Sequence, residues 1–150
     1  MKLTDYTTPD CFLPGIKIDG LAAIVSRLVT SLVGPGDAEA VENLVQEVMR
    51  RESEGSTAIG HGVVIPHARF GGVSEVRLAV GTLAEPVDIP TEDGRPVDIV
   101  ILLVGPEDDP RQMLRVLARL ARLVRNEDFL QGLREAPTPD ALQTAFGRAD

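Results

Sequence analysis

The sequence predicts a single α/β domain in which helices cover both faces of a β-sheet. Three segments rich in β-branched residues, Val63–Ile65, Val76–Leu83 and Val97–Val104, are bounded by Gly, Pro or Asp and are typical of strands. Ile99–Val104 is apolar without interruption, which indicates a central strand buried on both faces. Amphipathic helical segments precede and follow these strands. Because 150 residues fit one ordinary globular domain, we assign residues 1–150 to it.

Two helices are predicted before the strands. The chain is irregular until about Ile18, and apolar residues then recur at helical spacing over Asp19–Val33, with Asp19 as the N-cap. A Gly-Pro-Gly sequence breaks this helix. A second helix is predicted over Asp37–Glu52, with valines and a leucine on one face and charges on the other.

Three helices are predicted after the strands. The first covers Pro110–Arg125 and has the strongest apolar pattern in the chain. Its inward residues are predicted to be Met113, Leu114, Leu117, Leu120, Ala121 and Val124. Asn126 caps a short helix ending near Ala136, and Thr138 caps a last helix that has proline at its first position and extends toward Phe146.

Composition excludes several classes of function. A formal net charge of −8 and an aromatic content of 3% disfavour a nucleic-acid-binding surface, which needs basic and stacking side chains. No signal peptide or membrane-length apolar run is present, so we expect a soluble cytoplasmic protein without direct membrane insertion. The single cysteine, Cys11, is interpreted as a packing residue. No metal or cofactor is predicted.

The chemistry is concentrated in residues 55–69. This stretch contains both histidines of the protein, several glycines and short polar side chains. Gly60 and Gly62 around His61 predict a tight loop whose N–H groups can face an anion. His67 follows an apolar run and a proline, and because proline cannot extend a strand ladder, we expect the chain to turn there and present His67 at the edge of the sheet.

A histidine in this setting is suited to carrying a phosphoryl group. One ring nitrogen can attack phosphorus while the other donates a hydrogen bond that selects the tautomer. The phosphoryl oxygens need positive charge or N–H donors around them. Candidates near His67 are Arg51, Arg69 and the hydroxyl groups of Ser56 and Thr57. Each of these four residues also has a purely structural interpretation, as a solvated side chain or a turn former.

The motif resembles the active-site signature of the fructose/mannitol-type enzyme IIA family of the bacterial phosphotransferase system, including its nitrogen-regulatory branch. The resemblance rests on Arg51-Glu52, Gly55-Ser56-Thr57, Ile59-Gly60 and the run from Gly62 to Ala68. Further similarities lie at the N-terminus, at Asp93–Val97, at Pro106–Asp108 and in the leucine-rich helix from Leu114 to Leu123, so that nearly the whole chain is covered.

The resemblance implies a fold, a reaction and partners. The fold is a mixed β-sheet flanked by helices. His67 is implied to accept phosphate from the histidine-containing phosphocarrier protein, with Arg51 in the active site. The phosphate then passes to an enzyme IIB in sugar transport. Alternatively, the phosphorylation state of His67 controls binding to regulatory target proteins, as in the nitrogen branch.

Two positions depart from the family pattern or leave it open. Where members commonly have a second active-site histidine, this chain has Met113, which cannot hydrogen-bond phosphate as an imidazole can. Transfer then proceeds without that partner, or His61 or Arg111 compensates, or the protein has a regulatory role. His61 stands where many members have asparagine, and it has two interpretations, as a phosphate ligand and as a residue that hydrogen-bonds within its loop.

Two other classes of enzyme are disfavoured. The two histidines, six residues apart, could share a metal with Glu52 or Glu54 in a hydrolase, but this spacing fits no familiar zinc pattern. Ser56 lacks the strand-elbow setting of a nucleophilic serine. The stronger rival is an interaction module in which phosphorylation of His67 only switches partner binding.

Overall fold

The computed structural model describes all residues, Met1–Asp150, and its centre is a five-stranded mixed sheet. The strands are β1 (Phe12–Ile16), β2 (Val63–Val64), β3 (His67–Arg69), β4 (Arg77–Val87) and β5 (Val97–Gly105). β4 and β5 pair antiparallel in the middle of the sheet. β1 lies parallel to β4 at one edge, whereas β2 and β3 follow one another along the other edge, both parallel to β5.

Five α-helices flank this sheet. They are α1 (Leu21–Val33), α2 (Ala38–Glu54), α3 (Pro110–Leu123), α4 (Glu127–Glu135) and α5 (Pro139–Gly147), and two short 3-10 helices, Leu3–Tyr6 and Pro9–Cys11, precede β1. The side chains of Asn126 and Thr138 accept hydrogen bonds from backbone N–H groups at the starts of α4 and α5, so these two predicted N-caps are confirmed. Asp37 caps the start of α2 in the same way. None of the helices combines the length and the apolarity needed to cross a membrane.

The alternation of side chains along β5 divides the core between the two faces of the sheet. Ile99, Ile101 and Leu103 pack with α3, α4 and α5 on one face. Val100 and Leu102 point the other way and pack with α1 and α2. The predicted α/β architecture, with a mixed sheet covered by helices on both faces and β5 as a buried central strand, is therefore confirmed.

The start of the chain differs from the prediction. Phe12–Ile16 forms the edge strand β1, although the segment contains a proline and a glycine that argued for irregular structure. Both are accommodated because the register against β4 shifts between Leu13 and Ile16, and Gly15 adopts a φ of 64° there. Asp19 is not the N-cap of α1. Gly20 takes that position without a side-chain hydrogen bond.

Two predictions about the later elements also need correction. The chain does not turn away from the sheet after Pro66, because β3 resumes pairing with β5 and carries His67 inside the edge strand. The predicted inward face of α3 is correct at Met113, Leu117, Leu120 and Val124 but wrong at Leu114 and Ala121, which are exposed. Val116, Leu120 and Val124 are buried, whereas Leu114 is 62% exposed because it lies off that stripe. Cys11 is a buried free thiol, as the packing interpretation predicted.

Candidate active site

His67 begins β3 and is held in a defined ring orientation. Its residue surface is 9% exposed, and its backbone lies beside Leu103 of β5. Nδ1 lies 2.8 Å from the carbonyl oxygen of Ile65. A carbonyl oxygen can only accept, so Nδ1 carries the proton and donates it in this hydrogen bond. The opposite nitrogen, Nε2, therefore keeps an available lone pair and is the nucleophilic atom of the ring.

A polar cleft of about 460 Å³ opens at His67. It is lined by Glu47, Arg50, Arg51, Glu54, His67, Ala68, Arg69, Glu107 and Met113. The last turns of α2, the strand β3, the loop after β5 and the first turn of α3 supply these residues. Three guanidinium groups and three carboxylates thus surround one imidazole, which is a setting suited to a charged, hydrogen-bonding ligand.

Arg51 and Arg69 are the predicted cations that lie in this cleft. Arg51 projects from the C-terminal part of α2, and its Nη1 donates a hydrogen bond to the carbonyl oxygen of Gly55 at 3.3 Å. That contact occupies one of five guanidinium N–H groups, so the others remain able to donate to a ligand. Arg69 ends β3, two residues after His67, and forms no ion pair. The structure therefore brings His67, Arg51 and Arg69 together.

Sequence reasoning missed the rest of the charged lining. Arg50 pairs with Glu47 at 2.5 Å and with Glu54 at 2.7 Å along α2. The hydrogen bond from Arg50 lowers the pKa of Glu47, and the same contact raises the pKa of Arg50. A signal was present in the sequence, because Glu47, Arg50, Arg51 and Glu54 stand at i, i+3, i+4 and i+7 and so share one helix face. Glu107, in the loop after β5, had no comparable signal.

Ser56 and Thr57 do not line the cleft. The Ser56 hydroxyl accepts from the N–H of Ala58 at 3.1 Å and lies 3.4 Å from the carbonyl oxygen of Pro90, so it forms a local turn with no histidine partner. Thr57 is buried, and both its N–H and its hydroxyl donate to the carboxylate of Glu52, at 2.9 and 2.6 Å. The polar groups of both residues are committed to protein contacts.

His61 lies at the opposite end of the same edge of the sheet. Val63 pairs with Ile99 and His67 with Leu103, four residues further along β5, a separation of about 13 Å at the usual strand rise. The structure therefore does not bring His61 to the cleft. It also separates the two histidines too far to share a metal, whose ligands lie about 2 Å from the ion.

The loop around His61 has its own polar contacts. His61 adopts a φ of 59°, between Gly60 and Gly62 with φ of 83° and 79°. Its N–H donates to Asp93 at 2.9 Å, and its carbonyl oxygen accepts from Arg134 at 2.6 Å. The hydrogen bond from the His61 N–H, together with those from the N–H of Arg95 and the hydroxyl of Thr91, lowers the pKa of Asp93 to about 2. These contacts favour the interpretation of His61 as a loop residue.

The start of α3 places Met113 in the cleft and leaves Arg111 outside its lining. The adjacent Gln112 accepts a hydrogen bond from the N–H of Val76 at 2.9 Å. Met113 therefore forms a thioether wall at the position where the resemblance places a second imidazole. Neither of the two residues suggested to compensate for that imidazole, His61 and Arg111, lines the cleft. The arginines that do line it are Arg50, Arg51 and Arg69.

This fold and cleft define a small phosphoryl-transfer domain, and sequence comparison identifies its family. Residues 7–148 match the family described as phosphoenolpyruvate-dependent sugar phosphotransferase system, EIIA 2. The chain belongs to this family of phosphoryl carriers, which has transferase-type activity. The resemblance drawn from the motif around His67 is thereby confirmed.

Individual relatives fall in both branches of the family. The chain is 34% identical over 149 residues to a nitrogen regulatory protein of Bradyrhizobium diazoefficiens, covering 97% of this chain and 95% of that protein. It is 31% identical over 148 residues, 97% of its own length, to the 2-O-alpha-mannosyl-D-glycerate-specific EIIABC component of Escherichia coli, but covers only 22% of that protein. The structure of nitrogen regulatory protein IIA-Ntr from Neisseria meningitidis shares the fold, with a TM-score of 0.85 at 22% identity, covering 96% of this chain and 98% of that one.

Proposed function

We propose that this chain accepts a phosphoryl group on Nε2 of His67 from the histidine-containing phosphocarrier protein and passes it on. The observation that carries the proposal is the hydrogen bond from His67 Nδ1 to the carbonyl oxygen of Ile65 in a cleft lined by arginines. It leaves one ring nitrogen free to attack and holds the ring in place. Membership of a phosphoryl-carrier family supports the same reaction.

The proposed transfer needs no general base, because no proton has to be removed from His67. The lone pair of Nε2 attacks phosphorus, the Nε2–P bond forms, and the N–P bond of the donor phosphohistidine breaks. The donor ring, which carries a proton on its other nitrogen, keeps the electron pair of that bond and leaves as neutral imidazole. His67 retains its Nδ1 proton throughout, and the Ile65 carbonyl oxygen stabilises the positive charge that develops on the ring.

Arginines supply the electrostatic part of the catalysis. The transferring group carries its negative charge on equatorial oxygens, and preorganised donors around them lower the barrier. Arg51 and Arg69 approach His67 from α2 and β3, and we assign them to those oxygens. Because the polar groups of Ser56 and Thr57 are bonded elsewhere, the arginine side chains are the better-supported ligands.

Two destinations for the phosphate are supported. An enzyme IIB is the acceptor we propose first, because the Escherichia coli relative is named as an EIIABC component of a sugar system. A regulatory role, in which phosphorylation of His67 changes affinity for a target protein, is supported by similarity along its whole length to a protein named as a nitrogen regulator. In both cases we propose the cytoplasm as the compartment, where the unpaired thiol of Cys11 is stable.

Radiolabelling tests the proposed function. The chain is incubated with labelled phosphoenolpyruvate, enzyme I and the phosphocarrier protein, and the expected product carries one acid-labile phosphate. His67→Ala should abolish the label, whereas His61→Ala should retain it, because His61 lies outside the cleft. Label that persists in a folded His67→Ala protein overturns the assignment.

A second experiment separates the destinations. The labelled chain is mixed with purified candidate enzyme IIB proteins, and movement of label to one of them supports the transport role. Label that stays on the chain, together with a target protein whose affinity differs between the phosphorylated and unphosphorylated forms, supports the regulatory role.

A further inference from the structure

We propose that Glu52 and Thr57 are positioning residues for His67 and act on its ring through the peptide groups of Ile65. The inference rests on the proposed function, since it names the residues that prepare His67 for phosphoryl transfer. Neither residue lines the cleft, so their contribution is indirect. It depends on a continuous chain of hydrogen bonds that runs from the last turns of α2 to the imidazole.

The first link joins α2 to the segment after it. Glu52 accepts two hydrogen bonds from one residue, the N–H of Thr57 at 2.9 Å through Oε1 and the Thr57 hydroxyl at 2.6 Å through Oε2. Thr57 is 8% exposed and Glu52 is half-buried, so this charge-assisted contact is partly shielded from water. Glu52 thereby fixes the position of the Thr57 backbone relative to the helix that also carries Arg51.

The second link joins Thr57 to the histidine. The carbonyl oxygen of Thr57 accepts from the N–H of Ile65 at 3.2 Å, and the carbonyl oxygen of Ile65 accepts from His67 Nδ1 at 2.8 Å. The intervening residue, Pro66, has no N–H group that could compete for either oxygen. Ile65 is 1% exposed, so its peptide groups depend on these protein partners.

Few backbone hydrogen bonds hold residues 57–59 in place, so their position depends on the contact with Glu52. Between residues 57–60 and residues 63–65, the Thr57–Ile65 contact is accompanied by a bridge between Ala58 and Val64 and by two hydrogen bonds, from the Ile59 N–H to the Val63 carbonyl oxygen and from the Val63 N–H to the Gly60 carbonyl oxygen. Residues 57–59 have few other backbone partners, unlike Val64 and Pro66, which pair with β5, so residues 57–59 move when their anchor is removed. A shift of the Ile65 carbonyl oxygen weakens the acceptor for Nδ1 and releases the ring from a single tautomer. Consecutive hydrogen bonds also polarise one another, so loss of the first link weakens the last.

This geometry changes the role that the sequence motif suggested for Thr57. Thr57 was predicted as a phosphate ligand, yet its hydroxyl points to Glu52, whose carboxylate would repel a phosphoryl group. The pair instead connects the arginine-bearing helix to the phosphorylated strand. The distance between Arg51 and His67 is then set partly by a contact that neither of them makes.

The test uses Thr57→Val, Thr57→Ser and Glu52→Gln in the full chain. Nitrogen-15 NMR of the unphosphorylated protein reports the tautomer of the His67 ring, and rapid-quench labelling reports the rate of transfer from the phosphocarrier protein. Thr57→Val and Glu52→Gln should shift the His67 ring signals toward a mixture of tautomers and slow transfer by about tenfold to a hundredfold. Thr57→Ser restores the hydroxyl and should return both readouts close to those of the unchanged protein.

Thr82→Val is the matched control, because Thr82 is a buried threonine, 5% exposed, whose hydroxyl accepts from the N–H of Gly15 at 3.0 Å, away from the cleft. It should leave the His67 ring signals unchanged. Circular dichroism identifies variants that fail to fold, and Glu52→Gln keeps the test decisive if Thr57→Val is one of them. Unchanged ring signals in a folded Glu52→Gln protein overturn the proposal. The NMR readout needs no phosphate, so a failure of phosphorylation at His67 is distinguishable from a failure of positioning.

Discussion

The sulfur of Met113 lies 2.8 Å from the point at which a Cβ atom on Gly105 would stand. Gly105 is the last residue of β5, and Met113 belongs to the first turn of α3. The glycine therefore lets the thioether pack against the end of the central strand, where it forms one wall of the His67 cleft. The phosphoryl group that we propose on His67 would meet an apolar surface on that side and arginines on the other.

Met113→His should accelerate transfer to His67. An imidazole at this position adds a donor to the phosphoryl oxygens, and a hydrogen bond to a charged group contributes about 1.5–3 kcal/mol, which corresponds to about tenfold or more in rate. Rapid-quench labelling measures the rate, and Met113→Leu is the control that keeps an apolar wall. Equal rates for the histidine and leucine variants would show that the site does not use a donor from α3.

Arg51→Ala should slow transfer by about a hundredfold, because removal of one preorganised donor to a developing anion has an effect of this size. Arg51→Lys should be intermediate, since lysine keeps the charge but loses the planar array of donors. Labelling rates provide the measurement, and Arg122→Ala, on the exposed side of α3, is the control for loss of one positive charge. An Arg51→Ala rate equal to that of the control removes Arg51 from the site.

Asp93→Asn should lower the free energy of unfolding at neutral pH. The size of this loss should decrease in acid. The pKa of Asp93 is about 2 in the folded chain against an ordinary 3.8, so ionised Asp93 favours folding above pH 4. As the pH falls from about 4 to 2, the carboxylate is protonated and that contribution disappears. Urea unfolding of both proteins at pH 7 and pH 3 measures the difference. A gap in unfolding free energy that is the same at both pH values would contradict the expectation.

Gly62→Ala should destabilise the chain more than Gly94→Ala. Both glycines have positive φ, 79° and 69°, so alanine is strained by about 1–2 kcal/mol at either position. A Cβ on Gly62 would also lie 2.8 Å from Nη2 of Arg134 and 2.9 Å from Oδ1 of Asp98, whereas one on Gly94 meets nothing within 4 Å. Urea unfolding measures the loss of stability in each variant. The loss in Gly94→Ala reports backbone strain, and the additional loss in Gly62→Ala reports this clash. Equal losses of stability would mean that the side chains of Arg134 and Asp98, which form an ion pair at 2.9 Å, move aside freely.

The sequence was informative where its patterns depend on local periodicity. The predictions of β5 and of all five helices agree with the structure within a few residues, since their apolar spacing is a property of the segment itself. β1 was missed because its strand character comes from pairing with β4, which offsets the unfavourable Pro14 and Gly15. The strand after Pro66 was missed for the same reason, since β5 supplies the partners that local propensity does not reveal.

The candidate site was predictable in part. His67 and Arg51 follow from a motif with fixed spacing, and the structure places both in one cleft. The assignments of Ser56, Thr57 and His61 rested on closeness in sequence to His67. An extended strand separates residues quickly, and four positions along β2 and β3 are enough to carry His61 to the other end of the sheet edge. The role of Glu52 depends on hydrogen bonds that no spacing rule describes.

The cleft around His67 contains equal numbers of arginines and glutamates, and this balance affects the proposed release of the phosphoryl group. A carrier must release its phosphoryl group as readily as it receives it. If the cleft binds the phosphorylated ground state too tightly, the barrier to the next transfer rises. Arg50 forms ion pairs with Glu47 and Glu54, so its positive charge is already partly balanced before a phosphoryl group binds. In the transfer that we propose, the acidic residues would therefore keep the cleft from holding the phosphoryl group too tightly to pass it on.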